Sequence, residues 1–181
     1  WFLNVYIEIF RGTPMIVQSM VIFYGSAQAF NISLDRTWAA IFIVSINTGA
    51  YMSEIVRGGI LAVDPGQFEA ATALGMTHGQ TMRKVVLPQV VRNILPATGN
   101  EFVINIKDTS VLNVISVVEL YFTGNTVATQ NYQYFPTFTI IAVIYFVLTF
   151  TITRILRYIE RRLDSDTYTT GANQMQVNEV K

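Results

Sequence analysis

The sequence predicts an all-α protein, a polytopic bundle of membrane-spanning helices. Half of its 181 residues (51%) are hydrophobic, and they are gathered into four long runs. Only 13% are charged, against about 25% in soluble domains, and mean hydropathy is +0.39. The basic residues cluster in particular connections between the runs. One such run alone could be the core helix of a soluble fold. Four of them are hard to bury in a chain this short.

A bilayer span needs about 20 mostly apolar residues. The first predicted span covers Pro14 to Phe30, after an amphipathic lead-in from Phe2 to Phe10. The second runs from Thr37 to about Ile55. The third, Ile94 to Val118, is interrupted by Glu101, Lys107 and Asp108. The fourth, Phe135 to Ile155, carries no charge until Arg154. Residues 1–163 form the membrane domain in this reading. The polar tail, 164–181, lacks apolar periodicity and is expected to be disordered.

Arg57, Arg83, Lys84 and Arg92 lie between the second and third spans, and Arg154, Arg157, Arg161 and Arg162 follow the fourth. Only Arg36 separates the first and second, and no Lys or Arg occurs between Lys107 and Arg154. Basic connections stay in the cytoplasm. The 58–93 connection and the C-terminus are therefore expected inside, and 25–36 and 119–134 outside. Tyr121, Phe122, Tyr132, Tyr134 and Phe135 suit the outer interface.

The inner connection carries its own helix signals. Asp64 can cap, Pro65 suits the first helical position, and Gln67 can reach back. Gly75 can end that helix in a left-handed conformation. Thr77 starts a second helix, with Gln80 three residues on, which is expected to end near Pro88. A two-helix hairpin over about 64–88 follows, and an ordinary surface loop is the plain alternative.

Within it, Glu69-Ala70-Ala71, then Gly75, Val85, Leu87 and Pro88 stand at the spacing of a known motif. The segment resembles the EAA motif of ABC importer permeases, whose hallmark residues are Glu69 and Gly75 here. Other segments look like the polar amino-acid (histidine/glutamine type) subfamily. They are Glu8 to Pro14, Asn47 to Tyr51, Glu54 to Gly59, Gly99 to Phe102 and Lys107 to Ser110. The resemblance implies a type I permease fold, multi-pass in a bacterial cell membrane, with five spans. The first of those is missing here, which points to a fragment. It also implies docking of a cytoplasmic ABC ATPase dimer through Glu69, Ala70, Ala71, Gly75, Arg83, Leu87 and Pro88. Phe68, Leu74 and Met76 would add apolar contact. A second permease subunit, homo- or heteromeric, and an extracytoplasmic amino-acid-binding protein complete the expected assembly. ATP and Mg would be held by the ATPase, and this chain needs no cofactor of its own.

Ionisable groups inside a membrane are costly and are candidates for function. Glu101 and Asp108 are seven residues apart and share a face if the helix is continuous. They could hold the α-amino group or a cationic side chain of an amino-acid cargo, with Thr109, Gln18 and Asn47 as further candidates along its path. The structural alternatives are a Lys107 ion pair, or Asp108 and Thr109 bonding broken backbone. Ser45, Gly49 and Ser53 form a small-residue stripe for helix packing, and Glu54 can pair with Arg57.

Without cysteine and with one histidine, His78, there is no set for thiol, triad or Cys-metal chemistry. No Walker Gly-Lys-Ser/Thr sequence occurs. Twelve basic and twelve acidic residues balance, so charge suggests no nucleic-acid partner. The expected function is the permease half of an ATP-driven amino-acid importer. The rival is a transporter driven by an ion gradient through Glu101 and Asp108. Glutamine, glutamate, histidine, arginine and cystine all remain open as cargo.

Overall fold

The computed structural model describes the backbone of residues 1–179 and the side chains of 1–162. The expectation of a disordered tail at 164–181 falls outside those described side chains. Every element among the described residues is helical. In order they are α1 (Phe2–Gly12), α2 (Met15–Phe30), α3 (Arg36–Leu61), α4 (Pro65–Ala73), α5 (His78–Thr81), a π-helical segment (Met82–Val86), α6 (Leu87–Asp108), a 3-10 segment (Thr109–Ile115), α7 (Leu120–Asn131) and α8 (Tyr134–Glu179).

The four predicted spans are realised unequally. Among the described residues, two helices are long and apolar enough to cross a membrane: Arg36–Leu61 and, within α8, Tyr134–Arg162. α2 has 16 residues, a rise of about 24 Å against a hydrocarbon core of about 30 Å. The third span is broken. The helical run His78–Ile115 meets Leu120–Asn131 at 55°, so α7 occupies most of the stretch expected as a loop at 119–134.

Local hydrogen bonds loosen the helix at the break. Thr109 Oγ1 donates to the Ile106 carbonyl and Asn113 Nδ2 to the Ser110 carbonyl. Short polar side chains that bond nearby backbone in this way compete with the α-helical ladder. The tightened 3-10 turn ends at Ser116, which adopts φ +60°. Glu119 then restarts the chain, its carboxylate accepting from the Tyr121 and Phe122 N–H groups at the head of α7.

Two compact units divide the chain. One holds residues 1–54 and 101–150. Its core is Ala39, Ala40 and Ile43 of α3 against Leu112 and Ile115 of the 3-10 segment, with Ile22 and Phe23 of α2 packed alongside. The Tyr24 hydroxyl donates to the Val114 carbonyl at the same place. Gly124 faces Ile141 so closely that an added Cβ would overlap it. The other unit holds 55–100 and the chain from 151 on. Val63, Val86 and Val90 form its small core with Ile60, Phe68, Met82 and Ile94.

Candidate functional site

The hairpin between α3 and α6 is built by its caps. Asp64 Oδ1 accepts from the Gly66 N–H at 2.8 Å, with Pro65 in the first turn. The reciprocal bond expected from Gln67 does not form. At the other end Gly75 has φ +73°. Its N–H donates to the Thr72 carbonyl and the Met76 N–H to the Ala71 carbonyl, the paired bonds of a Schellman turn. Thr77 and Gln80 make both bonds of a capping box, opening α5.

The hairpin does not end at Pro88. It runs through the π-helical segment into α6, and Pro88 lies in the first turn of that helix. Proline has no N–H and crowds the carbonyl four residues back. The widened turn is placed to absorb both effects, as the Leu87 N–H donates to the Met82 carbonyl five residues away.

Of the residues assigned to docking, Glu69, Ala70, Gly75, Arg83, Leu87 and Pro88 are exposed. Ala71 is only 3% exposed and faces the interior of its own unit. Leu74 is 82% exposed at the tip. Phe68, expected as an outward apolar contact, packs on the Val63–Val86–Val90 core instead. The outward face is thus small residues around Glu69, one bare leucine, and a basic margin of Arg83 and Lys84.

The polar candidates separate into two groups. Gln18 and Asn47 are buried, 6% and 8% exposed, and bond each other at 2.9 Å. Gln18 Nε2 donates to the Phe10 carbonyl at 3.0 Å and the Thr13 carbonyl at 2.9 Å, and Asn47 Nδ2 lies 3.4 Å from the same Phe10 oxygen. Phe10 is the residue whose carbonyl Pro14 would have bonded had it an N–H. The two amides therefore satisfy the α1–α2 break, which accounts for them without a cargo. Beside them Arg11 pairs with Glu54 at 3.2 Å and lies over the Tyr51 ring. The Tyr6 hydroxyl donates to the Ile46 carbonyl and reaches the Gly49 position of the small-residue stripe.

Glu101 and Asp108 belong to the second group. α6 is continuous to Asp108, so seven residues do place both on one face. Glu101 is half-buried and Asp108 exposed. Asp108 makes no cap to the 3-10 segment, whereas the Thr109 hydroxyl bonds backbone. Thr48 Oγ1 bonds Asn105 Oδ1 at 3.2 Å, one turn from Glu101.

Sequence reasoning passed over Glu119. Its carboxylate caps α7 and also accepts from the Tyr145 hydroxyl at 3.0 Å. A lone acid between an apolar run and an aromatic pair was the available sign.

The family described as "Binding-protein-dependent transport system inner membrane component" matches residues 1–165. The chain is similar to the arginine transport system permease protein ArtQ of Bacillus subtilis (strain 168), with 37% identity over 92% of this chain and 76% of that one. It is similar to the glutamine transport system permease protein GlnP of Escherichia coli (strain K12), with 41% identity over 88% and 73%. Among solved structures, the crystal structure of an amino acid ABC transporter with histidines matches with a TM-score of 0.83 and 45% identity, covering 88% of this chain and 74% of that one.

Proposed function

The chain belongs to the family of binding-protein-dependent transport system inner membrane components, and from that membership we propose that it is the permease subunit of an ATP-driven importer of polar amino acids. The carrying observation is the family match over residues 1–165, which spans the capped hairpin and its exposed Glu69. The named relatives carry different cargoes, arginine and glutamine, so the class of cargo is proposed and not one amino acid.

Transport permeases of this family work with a binding protein and an ATPase. In the proposed assembly a cytoplasmic ATPase dimer holds ATP and Mg and docks on the 64–88 hairpin. Glu69 and Gly75 lie at the contact, with Leu74 as its apolar anchor and Arg83 on the rim. Interfaces commonly combine a few anchors with a charged margin. A second permease subunit supplies the other half of the pathway, and a binding protein outside the bacterial membrane delivers cargo. Glu101 and Asp108 are the proposed polar contacts for its amino group. Gln18 and Asn47, already bonded within the chain, hold the path's wall.

Glu69→Lys and Gly75→Asp test the docking. Purified with the ATPase in detergent, each variant is expected to lose at least about ten-fold in ATPase affinity, the scale of one interface hot spot. Thermal unfolding of the permease should stay near that of the parent for Glu69→Lys, since the Glu69 side chain is exposed. Unchanged ATPase affinity in both variants would remove the hairpin from the interface.

A further inference from the structure

The stretch of α8 from Ile140 to Arg161 carries a pattern that transport does not require. Ile140, Val143, Val147 and Phe150 are exposed and spaced three and four apart. Arg154, Arg157 and Arg161 continue that spacing and are exposed too. At about 100° per residue all seven fall within an arc of roughly 100°. The opposite face, with Phe138, Ile141, Tyr145, Leu156 and Glu160, is buried or half-buried. The arginines therefore lie on the helix's exposed stripe, away from its covered one.

Depth agrees with direction. Tyr134 opens α8, and Arg154 follows twenty residues later, a rise of about 30 Å that matches the hydrocarbon core. With Tyr134 and Phe135 at one interface, Arg154 reaches the other, and Arg157 and Arg161 stand about 5 and 10 Å beyond it. That is the headgroup layer. Arg162 is turned aside, its guanidinium on the Tyr158 hydroxyl at 2.8 Å and against the Tyr158 ring.

We propose that Arg154, Arg157 and Arg161 form a binding site for the phosphate of an anionic phospholipid headgroup. Guanidinium forks suit phosphate oxygens, and basic residues at the surface of an anionic leaflet are each attracted several-fold. This site does not depend on the transport reading.

Lipid retention tests it. The full chain with its partner subunits is purified in detergent with equal phosphatidylglycerol and phosphatidylcholine, and bound lipid is measured by native mass spectrometry. The parent protein is expected to retain phosphatidylglycerol about ten-fold over phosphatidylcholine. The Arg154→Gln/Arg157→Gln/Arg161→Gln variant should return to the supplied ratio, and Arg162→Gln should keep the enrichment. Should the triple variant not assemble, Arg157→Gln and Arg161→Gln singly should each lower the enrichment several-fold. No enrichment in the parent, or enrichment unchanged in the triple variant or in both single ones, overturns the proposal.

Discussion

Gln18 shows how one side chain can resolve a conflict written elsewhere. Pro14 ends α1 and orphans the Phe10 carbonyl, and Gln18 and Asn47 supply the missing donors. A buried acceptor left without a donor costs about 1–3 kcal/mol. Gln18→Leu is therefore expected to lower stability by about that amount, read as the shift in thermal unfolding in detergent; an unshifted transition would show that the amide is dispensable. Asp108 makes the contrasting case, for it is exposed within an apolar stretch and caps nothing. Loss of a charged hydrogen bond costs about 1.5–3 kcal/mol. Asp108→Asn should weaken cargo binding by about ten-fold or more, with little change in unfolding. Equal affinity of parent and variant for every amino acid tried would take Asp108 off the cargo path.

At the scale of elements, caps were legible in the sequence and breaks only in part. Asp64, Gly75, Thr77 and Gln80 act within a few residues of themselves, so their types and spacing suffice, and the hairpin forms as those residues specify. The end at Pro88 was misjudged because a π turn five residues long accommodates the proline. The break after Asp108 stood only as one alternative, because it needs more than local chemistry. Thr109 and Asn113 loosen the helix, but Ile115 and Leu112 hold the 3-10 turn by packing on Ala39 and Ile43 of α3. Nor does spacing show that Phe68 turns inward, since that depends on Val86 and Val90 meeting Val63. Gly75 offers a direct check of the hairpin. A Cβ at φ +73° costs about 1–2 kcal/mol, while nothing lies within 4 Å to clash with it. Gly75→Ala should thus destabilise modestly, measured by hydrogen exchange of the 64–81 amides, and exchange as slow as the parent's would contradict the turn's strain.

For the whole molecule, apolar exposure and family membership lead to one account. The described part of α8 is barely covered by the rest of the chain, with only 6% of its most apolar stretch buried, as a lipid-facing helix requires. The family match covers residues 1–165, and a solved amino acid ABC transporter shares the fold at a TM-score of 0.83. The overall class was readable from hydropathy and the EAA spacing because both are properties of the sequence itself. Cargo identity was not, because the contact proposed for Glu101 and Asp108 would be to an amino group, which many amino acids share. The central claim is that ATP, acting through a separate ATPase, drives amino-acid movement through this permease. Its most direct measurement is uptake of radiolabelled amino acid into proteoliposomes holding the permease, its ATPase and a binding protein. Uptake should require ATP on the ATPase side and persist when an ionophore dissipates ion gradients; uptake that ignores ATP and collapses with the ionophore would contradict the account.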